Sequence, residues 1–218
     1  MNPDMLRVLS YIGYVILCIN IIIYSIGFAK NSKAYKFFMW YLLTIGIIQG
    51  VMEFYAHKSY NNHFLSNYYL LFRFVLLSFF FYYAINRVKR KTGELIKYTS
   101  LTTIIALIVQ YSIYPELYHN FNSLGFLITS SLLVIYAVFY LYEMLSKKLP
   151  FHYTTVGILL YMLSSTVIFA SATLTVSFND EINMYIWKLN AFLFIVYQLL
   201  ILWEWKVTFY PKLMKQEQ

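Results

Sequence analysis

A single cysteine, Cys18, excludes an intrachain disulfide and any cluster of thiolate metal ligands. It falls in the first apolar run, where a thiol is expected to be a small buried hydrophobe. Proline is nearly as scarce. Pro3, Pro115, Pro150 and Pro211 all fall in tails or at segment ends, so no helix is expected to be interrupted. Transporters that hold substrate on helices broken at mid-membrane by Pro or Gly, with matching repeats, fit this pattern poorly. No repeat relates the first three apolar segments to the last three.

Charge is the third scarcity. Only 12% of the 218 residues are charged, about half of the roughly 25% in a soluble domain. A surface so poor in charge cannot be turned to water, whereas lipid tolerates it. Acidic residues are the rarer kind, nine against seventeen Lys and Arg, leaving a net charge of +8. In a soluble protein that excess would suggest nucleic acid. In a membrane protein it reads as Lys and Arg held on the cytoplasmic side, so no nucleic-acid partner is expected.

What remains is apolar and aromatic: 61% hydrophobic, with 23 Tyr, 19 Phe and 4 Trp. Tyr and Trp favour both membrane interfaces. Seven apolar segments follow one another, approximately 8–29, 37–56, 67–86, 98–114, 124–145, 153–177 and 185–207. Each is near the ~20 residues needed to cross a ~30 Å hydrocarbon layer. The first is too long for a signal-peptide core and lacks an Ala-x-Ala cleavage pattern, so it is expected to be retained. The fourth is the shortest and weakest, beginning among Thr99, Ser100, Thr102 and Thr103.

Charge placement sets an orientation. With alternate loops assigned to the cytoplasm, the inner loops and tail hold Lys30, Lys33 and Lys36; Arg87, Lys89, Arg90, Lys91 and Lys97; Lys147 and Lys148; and Lys206, Lys212 and Lys215. These are thirteen of the seventeen basic residues. Such bias in short loops orients spanning helices. The expected architecture is therefore an all-α integral membrane protein: a single domain, 1–218, forming a seven-transmembrane-helix bundle with its N-terminus outside and C-terminus inside. The expected location is the cytoplasmic (inner) membrane of a bacterium. No extramembrane domain is expected.

Ionisable residues inside spanning helices are costly and tend to mark function. Helix two offers Gln49, Glu53 and His57 at i, i+4 and i+8, a polar stripe on one face, with Gly46 and Gly50 beside it for close helix approach. Helix three offers Tyr69 and Arg73, also four apart. The short connecting loop makes these helices antiparallel neighbours, and a Glu53–Arg73 ion pair is expected. Helix seven adds Lys188 and Asn190, with Gln198 two turns further on. Together they suggest an outer-facing polar pocket for a small polar or anionic ligand. The competing view is that Glu53 and Arg73 simply neutralise one another, while Lys188 snorkels to the interface.

Other constellations are incomplete. His57, His63, His119 and His152 lack the convergent spacing of a metal site, so no metal or cofactor is expected. No catalytic set is complete, and an enzyme is not expected. Ceramidase-like zinc hydrolases need several histidines and an aspartate near the inner side, whereas here helix seven has no histidine and Asp4 and Asp180 are both expected outside. A retinal Schiff base needs a lysine deep in the last helix, and Lys188 lies too near its outer end. In helix six, Ser164, Ser165, Thr166, Ser171, Thr173, Thr175 and Ser177 suggest close packing. Glu143 and Glu204 are expected to form interfacial ion pairs with Lys147, Lys148 and Lys206. The run Arg87, Lys89, Arg90 and Lys91 is first an orientation signal and a contact for anionic lipid, and second a dock for a cytoplasmic protein.

The stretch Asn61-Asn62-His63-Phe64-Leu65-Ser66-Asn67-Tyr68-Tyr69, running into Phe74-Val75-Leu76-Leu77-Ser78-Phe79-Phe80, resembles small seven-helix membrane proteins of Bacteroidota. These in turn are similar to the membrane sensor parts of some histidine kinases. The resemblance covers the second outer loop, helix three and the seven-helix layout. It implies a sensing role, although Arg73 stands where an acid or amide would be expected on helix three. The leading expectation is thus a receptor or signalling subunit working through a cytoplasmic signalling protein or another membrane subunit. The alternatives are a small-solute transporter or channel subunit, and a structural subunit of a membrane complex.

Overall fold

The structure, a computed structural model, describes residues 4–58, 60, 62–174 and 180–214; side chains at 4, 63, 169–174, 180–183, 212 and 213 lie outside the description. Every regular element among the described residues is helical. Seven helices of 22 to 25 residues run in order: α1 (Asp4–Ile26), α2 (Lys33–His57), α3 (His63–Asn86), α4 (Arg90–Ile113), α5 (Ser123–Met144), α6 (His152–Leu174) and α7 (Asp180–Glu204). A 3-10 turn, Pro115–Tyr118, links α4 to α5, and a π-helical turn, Trp205–Phe209, carries α7 into the short α8 (Tyr210–Met214).

Among the described residues six stretches are long and apolar enough to cross a membrane: Met5–Ile26, Lys33–His57, Phe64–Asn86, Arg90–Ile113, Ser123–Met144 and Met184–Phe209. In α6 the apolar part with described side chains, His152–Ile168, is shorter. Large apolar side chains point outward along these helices, among them Ile22, Phe54, Ile108 and Val167. A helix apolar on its outer face as well as its inner one is suited to lipid rather than to water.

The contacts divide the chain into two units, Asn31–Tyr136 and the pair of segments Met1–Lys30 and Ala137–Gln218. In the first unit α3 packs against both α2 and α4. Its buried residues Leu70, Phe74, Leu77 and Phe81 recur every three or four positions, giving one continuous inward stripe. Ser32 begins α2 by accepting the Tyr35 backbone N–H at 3.3 Å, a hydroxyl cap for an otherwise unpartnered donor. Phe37 of α2 stacks on Phe79 and Tyr83 of α3 with ring centroids 4.9 and 5.2 Å apart.

The fourth helix starts at Arg90, eight residues before the apolar segment. Hydropathy locates only the part of a helix that needs lipid. The polar first two turns escape it although Arg, Lys, Glu and Leu favour helix. Three of the hydroxyls that weaken this segment, those of Thr99, Ser100 and Thr103, bond back within the helix or across to α5. Thr99 Oγ1 meets the Leu95 carbonyl at 2.8 Å and the Tyr136 hydroxyl at 2.7 Å, and Thr103 Oγ1 meets the Thr99 carbonyl at 2.8 Å.

In the second unit α7 packs against both α1 and α6. The close approaches fall at Gly13, where an added Cβ would lie 2.7 Å from the Phe194 ring, and at Gly157, where it would lie 2.8 Å from the Tyr197 ring. Gly50, expected to serve this purpose in α2, faces open space instead. Cys18 is exposed on α1, not buried as expected. Pro211 also departs from expectation, because it falls within α8 and the helical path continues through it. The wide π turn comes directly before it, with the Tyr210 N–H bonded to the Trp205 carbonyl. Proline has no N–H and its ring obstructs an ordinary α-turn, so a local widening is needed there.

Candidate functional site

Arg73 is the most confined cation among the described residues. It sits on the inward stripe of α3 and is 1% exposed. Its Nη2 donates to Ser130 Oγ of α5 at 2.7 Å. The guanidinium carbon lies 4.5 Å from the centre of the Phe126 ring and 5.3 Å from that of Tyr69. Phe126 and Ser130 are four apart on α5, as Tyr69 and Arg73 are on α3, so each helix supplies one ring and one polar group. The buried Nε–H has no hydrogen-bond partner.

This arrangement corrects the expected ion pair. Among the described residues Arg73 makes no salt bridge within 4 Å, and Ser130, absent from the sequence reading, takes the place expected for Glu53. Glu53 and Gln49 are half-buried and His57 is exposed. The inward face of α2 is instead Phe38, Tyr41, Leu42, Ile45 and Ile48, so the polar stripe flanks the packed surface. A guanidinium keeps its charge in any folded protein. Facing rings favour the cation, by about 2 kcal/mol when desolvated, but they carry no negative charge.

A polar knot on the N-terminal side of Arg73 fixes this part of the unit. Asn67 is 8% exposed. Its Nδ2 donates to the carbonyls of Leu117, Tyr118 and Asn120 at 2.7, 3.3 and 3.0 Å, while its Oδ1 accepts from the Tyr111 hydroxyl at 3.0 Å and the Asn122 N–H at 3.4 Å. Asn122 in turn caps α5 by accepting the Gly125 N–H at 2.8 Å, and exchanges side-chain bonds with Gln110. One amide therefore ties α3 to the α4–α5 connection. Only its position four residues into a helix that begins beside other asparagines hinted at it.

The expected residues of helix seven belong to the second unit. Lys188 is 9% exposed, with Nζ 5.8 Å from the Tyr185 ring centre. Asn190 has a buried Oδ1 with no partner. Gln198 does not extend a pocket: its side-chain oxygen and its backbone carbonyl both accept from Asn20 Nδ2 at 2.9 Å, joining α1 to α7. The side chains of Asp180 and Glu181, and those of Ser171 and Thr173, lie outside the description, as do Thr175 and Ser177 altogether. Of the earlier hydroxyls in α6, Ser165 and Thr166 bond back to the Met162 carbonyl at 3.2 and 2.7 Å.

Glu204 corrects a second expectation. It is fully buried and forms no surface ion pair. Its carboxylate accepts the N–H groups of Phe151, Tyr153 and Thr154 at 2.8, 2.7 and 3.4 Å, so a side chain of α7 caps the start of α6. Lys206 lies instead over the Trp203 ring, 5.4 Å from its centre. The basic residues Arg87, Lys89, Arg90 and Lys91 are all exposed at the α3–α4 turn. No family model, no curated protein and no solved structure matches this chain.

Proposed function

We propose that this chain is a multi-pass membrane receptor or signalling subunit that binds a small anionic ligand at Arg73 and acts through a cytoplasmic partner. The observation that carries the reading is a guanidinium 1% exposed, bonded to a neutral hydroxyl, with its Nε–H unsatisfied. A buried charge left without an opposite charge costs several kcal/mol. Neighbouring charges could offset that cost within the chain, but Arg73 has no acid within salt-bridge reach among the described residues. An anion on the Nε edge supplies the missing charge. The guanidinium fork suits a planar carboxylate or a phosphate oxygen pair. Seven spans, an outer N-terminus and a bacterial inner-membrane location complete the reading, supported by six long apolar helices and the one-sided basic loops.

The test is thermal unfolding of the purified chain at constant ionic strength, titrated with acetate, phosphate or chloride. At least one anion should raise the midpoint saturably, since a ligand bound only by the folded state stabilises it. Arg73→Met should abolish that response, and Ser130→Ala should weaken it. An identical response in Arg73→Met, or no response in the parent chain, overturns the site. Accumulation of the anion in vesicles under an ion gradient would favour a transporter instead. For topology, with Cys18 replaced, a cysteine at 119 should label from outside and one at 91 only from inside.

A further inference from the structure

The start of α2, the end of α3 and the start of α4 meet at one end of the first unit. Phe37 stacks on Tyr83, and a Cβ at Gly93 would lie 2.7 Å from that of Asn86, so the first turn of α4 rests on the last turn of α3. Exposed at this end are Lys33, Arg87, Lys89, Arg90, Lys91 and Lys97. Glu94, half-buried beside them, lies 3.7 Å from Lys97. The opposite end, where α2 and α4 finish and α3 and α5 begin, presents Lys58 and Glu116 with His57 and His119. The charge is concentrated at one end.

We infer that this collar of six cations is a binding surface for the phosphate groups of anionic phospholipids, with Lys33 of α2 and the α3–α4 turn facing the same headgroup layer. Three observations favour lipid over an acidic protein. Five of the cations stand at or beside the first or last turn of helices apolar enough to span a bilayer, which is headgroup depth, and Lys97 stands two turns into α4, within snorkelling reach of that layer. Tyrosines accompany them, with Lys33 Nζ 5.5 Å from the Tyr83 ring centre and Lys97 Nζ 5.4 Å from that of Tyr98, and such rings settle at the membrane interface. Lastly, Arg90 and Lys91 occupy the first turn of α4, with Lys89 giving no side-chain cap. Cations are disfavoured at that positive end of the helix dipole unless an anion joins them. The bilayer supplies phosphates at that level without a further partner.

The inference rests on the membrane reading but not on the anion site at Arg73. The chain would be placed in nanodiscs of phosphatidylcholine with phosphatidylglycerol, and the lipids retained on extraction compared by mass spectrometry. Retention of phosphatidylglycerol should exceed that of phosphatidylcholine about ten-fold, the scale of a few surface cations, and should fall at high salt. Replacing Arg87, Lys89, Arg90 and Lys91 together by Gln should remove the preference. Lys33→Gln, which leaves that turn intact, should reduce it several-fold even if the quadruple variant does not fold. Lys58→Gln and Arg73→Met should leave it unchanged. Equal retention of the two lipids by the parent chain overturns the inference, as does salt-sensitive capture of soluble poly-glutamate without lipid preference, which assigns the collar to an acidic protein. Failure to enter bilayers at all overturns the membrane reading itself.

Discussion

Glu204 accepts the backbone N–H of Phe151 at 2.8 Å, and Phe151 stands at φ 68°, a left-handed conformation unusual for a bulky residue. The strain is held from three sides. Tyr140 donates its hydroxyl to the Pro150 carbonyl at 2.7 Å, Phe151 packs on Phe209 with ring centroids 4.9 Å apart, and Glu204 fixes the N–H groups that follow. A residue on α7 thus decides how the chain turns from α5 into α6.

Glu204→Ala is expected to lower stability by about 2–3 kcal/mol, because several buried donors lose their acceptor together. Glu204→Gln keeps one acceptor oxygen but loses the charge at the helix start, for about 1 kcal/mol. Phe151→Gly relieves the backbone strain and removes ring packing, so it should destabilise less in the Glu204→Ala background than alone. Thermal unfolding of the set checks this. Equal effects of Ala and Gln at 204 would show that the acceptor oxygens are not what holds the turn.

A double-mutant cycle between Arg73 and Ser130 should be non-additive by about 0.5–3 kcal/mol, whereas one between Arg73 and Glu53 should be additive to within about 0.5 kcal/mol. The contrast follows from the 2.7 Å bond to Ser130. Coupling to Glu53 larger than coupling to Ser130 would restore the ion pair expected from sequence.

Asn67→Asp should be more damaging than its near-identical shape suggests. The change puts a carboxylate against three carbonyl oxygens that now receive the amide N–H groups. A loss of about 2 kcal/mol or more at neutral pH is expected. A variant as stable as the parent chain at neutral pH would mean that the amide donors do not hold the α4–α5 connection.

Gly13→Ala and Gly157→Ala should each cost about 1–3 kcal/mol, since the new methyl meets an aromatic ring at 2.7 or 2.8 Å. Gly50→Ala should be neutral or stabilise by up to about 1 kcal/mol, with open space beside it. Reversal of that order in unfolding experiments would contradict the helix contacts on which both units are built.

The amino-acid pattern by itself determined the number, order and approximate limits of the seven long helices, because a length of apolar chain that suits lipid is a local property. It failed where local signals change meaning. Polar residues opening α4 looked like loop, and Pro211 looked like part of the tail, although a π turn carries the helix past it. It also singled out Arg73 and Tyr69, since a charge in an apolar helix is conspicuous without any structure. The partners were another matter. Opposite charge and a short loop point to Glu53 as the partner of Arg73, but the structure gives that place to Ser130 across a long sequence separation. Glu204 and Asn20 carried no local mark of their roles, and Asn67 only its place near the start of a helix. Each acts on backbone groups or side chains distant in sequence, and only tertiary packing decides which donors and acceptors are left for a side chain to satisfy.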